Sequence, residues 1–407
     1  MGMYLTLAWR NIWRNKRRSM ISISSILFAV IIALATRSMQ IGFYAQAIRN
    51  IVSFYTGYAQ IQAKEYWDKR SLDQSFVISD SLTQSIERIK QVTVTAPRLE
   101  SFGLVSAGDI TDGSMLLGID PESENRLTGL RSRVAEGSYL RPNDNGILLA
   151  QGLAEHLKAG IGDTVVVLSQ GYHGVTAAGI YPVVGLVKFP TPELNAGMAY
   201  LTLDEVQRLF GAEHRATSIA LMIENQKQLP QAMSELKSKF DQHYEVMSWE
   251  DMLPELVQYI KVDNASGIVM LWIIYLVIAF GILGTILMMT LERNREFGMM
   301  IAIGMKRNRL RLIVIIESLL LTFTGVLAGT IAGIPVLLYL YSHPIELKGE
   351  YAKVMLAYGF EPLMPFSLDL SIFLWQAVSV LIIALAVSIY PIWRISKIHP
   401  VTALRTG

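Results

Sequence analysis

Long apolar runs separated by polar segments dominate the pattern of this chain. A helix needs roughly 20 mostly apolar residues to cross the hydrocarbon core of a bilayer. Four stretches meet this length, and we predict transmembrane helices at 19–41, 267–291, 312–341 and 370–393. The third run exceeds what a bilayer requires, so this helix is expected to tilt or to extend beyond the membrane. The pattern therefore predicts an α-helical integral membrane protein with four spans.

The segment between the first two spans has the pattern of a folded, water-exposed domain. Residues 42–266 alternate short strand-like runs with turn signals and helical runs, which predicts an α+β domain inserted between spans one and two. Helical apolar spacing at its two ends, Gly42–Tyr55 and Trp249–Asn264, predicts that the spans continue outward as a stalk. Asp204 is expected to cap the helix at its position. The strands and helices expected in this domain are Ser114–Ile119, Gly146–Ala150, Thr164–Leu168, Tyr181–Leu186 and Ser218–Ile223, and Ser81–Gln91, Gln151–Lys158, Leu203–Phe210 and Leu229–Phe240.

The distribution of basic residues predicts the orientation. Lysines and arginines cluster before span one, in the 292–311 loop and in the 394–407 tail. Short cytoplasmic loops are enriched in these residues. Both termini are therefore predicted to be cytoplasmic, and the inserted domain and the 342–369 loop to be external. The alternative for the N-terminus, a signal peptide with a cleavage site at Ala33-Leu34-Ala35, requires a shorter apolar core than this one.

Residues 1–18 have an apolar stripe opposite a basic one. This pattern predicts an amphipathic helix in the membrane interface, with its tryptophans at headgroup depth. A simple cluster of stop-transfer charges would account for the arginines but not for the stripe. The apolar stripe consists of Leu5, Ala8, Trp9, Ile12 and Trp13.

Composition and charge exclude several function classes. Only 17% of the 407 residues are charged, against about a quarter in soluble domains, and the net charge of +2 is too small for a nucleic-acid-binding surface. The chain has no cysteine, and its six histidines show no paired metal-ligand spacing. It contains no phosphate-binding loop and none of the hydrolase motifs H-E-x-x-H and G-x-S-x-G. We therefore expect no catalytic residue, no metal, no cofactor bound by this chain and no nucleic-acid partner.

A carboxylate is expected inside the third span. Placing Glu317 in lipid costs several kcal/mol, depending on its depth. It should therefore face protein, pair with a cation, or lie at a shallow depth in the membrane. A functional role and a plain pairing with Arg309 or Arg311 at the cytoplasmic interface both remain open.

The same span carries three glycines at a spacing of four. Gly325, Gly329 and Gly333 lie on one face of a helix, where repeated small residues allow another helix to approach closely. Packing within the chain or across a dimer is favoured over a flexible point in the helix.

The 292–311 loop contains a short amphipathic segment. Phe297, Met300, Ile301 and Gly304 can form one face of a helix, with charges at both ends. The segment is either a surface helix with extended arginines or a docking element for a cytoplasmic partner.

The same loop contains a run of residues with a distinctive order and spacing, namely Glu292, Arg293, Arg295, Glu296, Phe297, Gly298, Ala302, Ile303 and Gly304. This run resembles the pattern E-R-x-R-E-[IF]-G-x-x-[RK]-A-[IL]-G, found in the loop of the permease subunits of the MacB/FtsX-type ABC transporter superfamily. Ile301 departs from the pattern, since a basic residue is usual there. The layout is most similar to the lipoprotein-releasing LolC/LolE permeases.

The resemblance extends over most of the chain. Leu7–Arg18 is similar to the N-terminal helix of the family, and Leu148–Val167 to its external-domain signature. Glu317 stands where the family has a glutamate. Tyr390-Pro391 and His399–Arg405 resemble the C-terminal ending, with His399 where aspartate is commoner.

The resemblance implies a multi-pass permease of the bacterial inner membrane that works as a homodimer or heterodimer. A separate ABC-type ATPase, in two copies, binds ATP and Mg²⁺ and moves the external domain by mechanotransmission. The substrate expected from the resemblance is a lipoprotein sent toward the outer membrane. The alternatives are MacB-like efflux of peptides or amphiphilic small molecules and FtsX-like regulation of a cell-wall hydrolase. The coupling-helix residues expected to contact the ATPase are Glu292, Arg293, Arg295, Glu296, Phe297, Gly298, Ala302 and Gly304.

Overall fold

The computed structural model describes residues 2–14, 16–357 and 362–396. The chain divides into two compact units, which are described separately. The membrane unit consists, within the described residues, of Met1–Ala45, Ile260–Glu346 and Leu363–Gly407. The sheet unit consists, within the same limits, of Gln46–Tyr259 and Leu347–Pro362.

The helices and strands are numbered in chain order. The helices are α1 (Gly2–Arg14), α2 (Lys16–Ile51), α3 (Tyr66–Lys69), α4 (Asp80–Glu87), α5 (Pro121–Thr128), α6 (Gln151–Leu157), α7 (Pro192–Gly197), α8 (Leu203–Phe210), α9 (Leu229–Phe240), α10 (Trp249–Met252), α11 (Pro254–Glu292), α12 (Asn294–Ala302), α13 (Arg307–Ser342), α14 (Glu350–Ala357), α15 (Leu370–Val387) and α16 (Ile389–Ser396). The strands are β1 (Ala59–Gln62), β2 (Phe76–Val77), β3 (Val92–Ala107), β4 (Ile110–Ile119), β5 (Val134–Gly137), β6 (Ile147–Ala150), β7 (Thr164–Gln170), β8 (Thr176–Val187), β9 (Met198–Thr202), β10 (Arg215–Ala216), β11 (Ser218–Ile223), β12 (Glu245–Ser248), β13 (Ile345–Glu346) and β14 (Leu363–Met364).

Four helices among the described residues are long and apolar enough to cross a membrane, namely α2, α11, α13 and α15. Their apolar residues lie all around the helix, as is typical of helices surrounded by lipid or protein. The fourth predicted span, 370–393, is interrupted at Ser388, which separates α15 from α16. The Ser388 hydroxyl contacts the carbonyl of Ala384 at 2.7 Å and the Ser318 hydroxyl at 3.1 Å. The predicted tail residues from Lys397 onward, including His399, lie outside the described residues.

The predicted stalk segments are helical over part of their length. Helix α2 runs to Ile51 and is followed by a π-helical turn, Val52–Thr56. On the other side, Leu253 separates α10 from α11. Pro254 starts α11, a position that proline favours because the first helical residue needs no N–H partner.

The sheet unit is built on a ten-stranded sheet in the order β12-β1-β11-β3-β4-β9-β6-β8-β5. Strand β7 pairs with both β3 and β8, so β3, β4, β9, β6, β8 and β7 form a closed ring of paired strands. The β4–β9 and β6–β8 pairs are parallel. Closing the ring protects strand edges that would otherwise be open to pairing with other chains.

The interior of the sheet unit is apolar. Fully buried aliphatic and aromatic side chains such as Leu116, Leu148, Val165 and Tyr200 form its core. The structure contains a strand or helix at every position predicted for this domain. The long strand β3 was not predicted.

The predicted helix cap at Asp204 is wrong. The cap position of α8 is Thr202, and Asp204 lies within the first turn. A carboxylate in the first turn still interacts favourably with the helix dipole.

Candidate functional site

The short helix α12 lies between the membrane helices α11 and α13 along the chain. It ends at Ala302, and Gly304 follows with φ +103°. The amide of Gly304 donates to Ile301 O at 3.0 Å, and that of Met305 donates to Met300 O at 2.9 Å. This pair of bonds is a Schellman motif, which favours glycine at the residue with positive φ. Gly304 ends the helix and is exposed, so the prediction that it belongs to the packed face is wrong.

One face of α12 packs against α13. Phe297 is 1% exposed and contacts the buried Leu310 and Val314 of α13. Met300 and Ile301 pack around the same cluster. The predicted apolar face therefore exists, without Gly304, and it holds α12 against the start of the third apolar helix.

A chain of alternating charges links α12 to two other helices. Nη1 of Arg293 donates to both oxygens of Glu317, at 2.9 and 2.7 Å. Nε of Arg293 donates to Glu296 at 3.2 Å, and Nη2 of Arg14 donates to both oxygens of Glu296, at 2.8 and 2.7 Å. We call these four residues the ion chain. It connects α1, the start of α12 and α13.

The partner of Glu317 differs from both expected partners. Arg311 bonds to Asn308 at 2.9 Å, whereas Arg293 pairs with Glu317. A sequence signal for this pair existed, because Arg293 lies two residues after the end of the second predicted span and Glu317 lies near the start of the third. Antiparallel helices joined by a short loop bring such positions to similar depth.

The electrostatics of Glu296 follow from its two arginine partners. Partial burial by itself raises the pKa of Glu296, but hydrogen bonds and charge from Arg14 and Arg293 outweigh this effect, so its pKa is lowered. Glu296 is therefore ionised at neutral pH and joins the two arginines.

The opposite face of α12 is exposed and partly apolar. Arg295, Met299, Ala302 and Ile303 lie on it at helical spacing, and Ile303 is 83% exposed. A cavity of about 350 Å³ borders this face and is also lined by Arg14. Exposed apolar side chains beside a concavity are typical of a protein-binding surface.

Of the eight residues assigned to ATPase contact by resemblance, four are buried or engaged in ion pairs and four are exposed. Phe297 and Gly298 are buried, and Arg293 and Glu296 take part in the ion chain. Met299, exposed on the same face, had not been singled out, although its spacing of four from Arg295 and Ile303 marks one helix face. The assigned residues that are exposed are Glu292, Arg295, Ala302 and Gly304.

The three glycines of α13 face α2. A Cβ at Gly325 would lie 2.8 Å from Cβ of Ile26, and one at Gly329 would lie 3.0 Å from the carbonyl oxygen of Leu27. Gly333 approaches Leu34 in the same way. In this structure the glycine face therefore serves packing within the chain.

A second polar cluster joins α2 and α11, in the halves of these helices that are remote from α12. Tyr44 donates to Oδ2 of Asp263 at 2.5 Å, Gln40 donates to the carbonyl of Asp263 at 3.0 Å, and Arg37 donates to Asn264 at 2.8 Å. These bonds bridge the two helices at this level.

The described residues contain no cluster of three or more side chains suited to holding a metal ion. What the site offers is a surface helix with an exposed apolar face, fixed to membrane helices by ion pairs.

Two protein families match the sequence. The MacB-like periplasmic core domain matches residues 19–239, more than half of the chain, and the FtsX-like permease C-terminal family matches residues 268–400. The second match contains α12, α13 and the Arg293–Glu317 pair.

Individual relatives match over nearly the full length. The lipoprotein-releasing system transmembrane protein LolC of Xylella fastidiosa is 24% identical over 413 residues, which cover 96% of each chain. LolC of Neisseria meningitidis is 24% identical over 401 residues, covering 95% of this chain and 94% of that protein. Among solved structures, the periplasmic region of MacB from Actinobacillus actinomycetemcomitans is similar, with 16% identity, a TM-score of 0.37, and coverage of 52% of this chain and 97% of that one.

Proposed function

Because the chain belongs to the MacB/FtsX-type superfamily of ABC transporter permeases, we propose that it is the permease subunit of a lipoprotein-releasing transporter in the bacterial inner membrane. Permeases of this family are non-catalytic transport subunits. The lipoprotein substrate is supported by the near full-length similarity to two LolC proteins, at 24% identity. The observation that carries the mechanism is α12, a surface helix with an exposed apolar face.

The exposed face of α12 is the proposed docking surface for a separate ATPase. It presents Met299 and Ile303 as apolar contacts and Arg295 as a charged one. Apolar anchors flanked by charge are a common composition of binding surfaces. Glu292, Ala302 and Gly304 extend this surface.

In this proposal, movement of the ATPase reaches the membrane helices through the face of α12 that packs against α13. Phe297 transmits it by packing on α13, and Arg293 transmits it through the bond to Glu317. Direct contacts between rigid helices carry displacement without a channel through the chain. ATP and Mg²⁺ belong to the partner ATPase in this proposal, and a second permease, either a copy or a relative, completes the assembly.

Release of a membrane-anchored substrate requires lateral access between helices. The hydrogen bonds from Tyr44, Gln40 and Arg37 to α11 close the gap between α2 and α11 at one end. We propose that substrate access follows the breaking of these bonds during the ATP cycle. Both termini on the cytoplasmic side would place this end of the helices toward the periplasm.

The match to the MacB-like periplasmic core domain supports efflux of peptides or amphiphiles as a second candidate. The two functions differ in what stimulates ATP hydrolysis and in what leaves the membrane.

Reconstitution separates them. The chain is co-expressed with ABC ATPase subunits from its own genome, and the complex that co-purifies is placed in liposomes containing a radiolabelled lipoprotein. ATP-dependent release of the lipoprotein is expected. No release, together with stimulation of ATP hydrolysis by a soluble peptide, would contradict the lipoprotein proposal and support efflux.

The docking surface is tested in the same system by Ile303→Glu. Because Ile303 is 83% exposed, the change should leave the stability of the permease within about 0.5 kcal/mol. We expect at least tenfold weaker ATPase binding, about 1.4 kcal/mol or more, and loss of release. The matched control is Asn308→Asp, which adds a negative charge nearby, in the first turn of α13, and keeps an acceptor for Arg311. Equal binding by both variants would refute docking on this face.

A further inference from the structure

A cavity of about 260 Å³ lies inside the membrane unit, between α2, α11 and α13. Its walls are mainly aliphatic, with Ile26, Ile278 and Ile282 among the lining residues. The Arg293–Glu317 pair lines it as well. The cavity is thus separate from the exposed face of α12, although the ion chain borders both.

A buried hydroxyl in this cavity has an unmet hydrogen-bonding capacity. Thr322 is 0% exposed, lines the cavity, and its Oγ1 has no hydrogen-bond partner among the described residues. Buried polar groups are almost always hydrogen-bonded, and one that is not usually marks a place for a water or a ligand. The orphan hydroxyl therefore points to an occupant with a polar group.

Two other threonine hydroxyls of the lining are available as acceptors. Thr285 donates to the carbonyl of Gly281 at 3.0 Å, and Thr290 donates to that of Ile286 at 2.7 Å. Each has used its only proton on its own helix, which leaves oxygen lone pairs for a donor. An occupant that donates a hydrogen bond fits this lining better than one that only accepts.

The charge of the lining excludes a charged occupant. Arg293 and Glu317 are the charged residues of the lining and neutralise each other at 2.7 Å. An ion placed in a low-dielectric cavity without its own partner is strongly disfavoured. The occupant is therefore uncharged.

We propose that this cavity binds an uncharged aliphatic alcohol, either a free alcohol or the acylglycerol form found in membranes. The hydroxyl pairs with Thr322, and the alkyl chain lies against Ile26, Ile278 and Ile282. An apolar cavity of about 150 Å³ already holds benzene, so the larger volume here accommodates an alkyl chain.

The test uses the full chain in lipid nanodiscs with an octanol that carries a photoactivatable diazirine. After irradiation, labelled residues are identified by peptide mass spectrometry. We expect labels within 277–290 and 314–322, reduced by an excess of octanol and not by octanoate, which carries a charge. Displacement by monoolein as well identifies a membrane acylglycerol as a source of the occupant, whereas displacement by octanol alone identifies a free alcohol.

Two glycines of α11 provide a matched pair of variants. A Cβ at Gly281 or at Gly284 would meet no atom within 4 Å, but only Gly281 lines the cavity. Gly281→Leu should fill the space and abolish labelling in both segments, while Gly284→Leu should retain it. Equal labelling in both variants, or labels spread evenly over lipid-facing residues such as Trp272 and Leu374, overturns the proposal.

The role of the orphan hydroxyl is tested by Thr322→Val, which keeps the shape of the side chain. Loss of one hydrogen bond should weaken the apparent affinity for the photoactivatable octanol by about fivefold. Unchanged affinity overturns the assignment of Thr322, and the Gly281 result then decides the site independently.

Discussion

Each unit of the molecule contains a buried arginine–glutamate pair. The two pairs differ in whether their further hydrogen-bond partners are buried or exposed to solvent. In the sheet unit, Arg98 and Glu124 form two parallel bonds of 2.9 and 2.7 Å, with side chains 0% and 2% exposed. Thr128 donates to Glu124 at 3.0 Å, and the remaining donors of Arg98 include a bond to the carbonyl of Tyr55. Every partner of this pair lies within the fold.

The pair in the membrane unit is connected to exposed residues by further ion pairs. Arg293 and Glu317 have side chains 13% and 5% exposed, but Arg293 also bonds to Glu296, which is 42% exposed and bonds to Arg14. The exposure rises along the chain of contacts from the membrane helix to the surface helix.

The difference shows which of the two ion pairs can exchange partners during a cycle of ATP binding and hydrolysis. A fully enclosed ion pair cannot be opened without leaving a charge uncompensated, which is strongly destabilising. A chain that ends in water can exchange a partner for solvent at its exposed end, where ion pairs contribute little. Arg98–Glu124 therefore serves the stability of the sheet unit, and the ion chain is suited to a moving contact.

The charge state of Arg98 agrees with this interpretation. Burial by itself lowers the pKa of Arg98, but the neighbouring carboxylate of Glu124 reverses this, so the pKa of the guanidinium is raised. Arg98 therefore keeps its positive charge in the folded sheet unit.

The largest effect is expected from Arg98→Ala. It leaves Glu124 buried without its counter-charge, and breaking a buried pair in this way costs about 3–5 kcal/mol. The free energy of unfolding of the full chain in detergent, together with protease cleavage within 46–259, measures the loss.

The control for this variant is Arg131→Ala. Arg131 pairs with Glu122 on the same helix α5 as Glu124, but their side chains are 50% and 59% exposed. A change of about 0–1 kcal/mol is expected. If the two variants lose the same stability, burial is not what distinguishes the pairs.

An intermediate effect is expected at the membrane pair. Arg293→Gln and Glu317→Gln should each destabilise by about 2 kcal/mol, because each leaves a polar partner unsatisfied. In the double variant the losses should not add, with a coupling energy of about 0.5–3 kcal/mol. Unfolding of the four chains in detergent supplies the double-mutant cycle, and additive losses would contradict a direct interaction.

The smallest effect is expected from acidification at Glu296. The folded state lowers the pKa of this carboxylate, so its contacts stabilise the protein above the ordinary glutamate range and are lost as the pH falls through the lowered pKa. Fluorescence of Trp9 and Trp13 follows the attachment of α1. The signal change should be absent in Glu296→Gln, and its persistence there would assign it to another group.

The sequence predicted those helices and strands of both units that have a regular hydrophobic pattern over a few neighbouring residues. The apolar runs of α2, α11 and α13 and the strands β4, β6, β7, β8 and β11 follow from hydrophobic period alone. Strand β3 was missed because most of its length alternates irregularly around Pro97 and Gly103. The interruption at Ser388 was missed because apolar residues continue on both sides of it.

The candidate site was predicted in part. The amphipathic pattern placed Phe297 on a packed face, and the family motif marked the surrounding residues. The burial of Gly298 was not accessible in this way. The sequence places Arg293 and Glu317 at similar depth, but it does not distinguish Arg293 from the other arginines of the loop as the partner of Glu317.

The sequence by itself therefore determined which segments are apolar and which are helical, because these properties depend on neighbours within a few positions along the chain. The end of α12 at Ala302 came from the structure, since the sequence pattern had included Gly304 in the helix face. Tertiary structure decided that Arg293 rather than Arg311 pairs with Glu317, that Gly325 and Gly329 meet α2, and that Thr322 faces a cavity. These depend on the register between helices, which is set by packing many side chains together and leaves no periodic trace in the sequence.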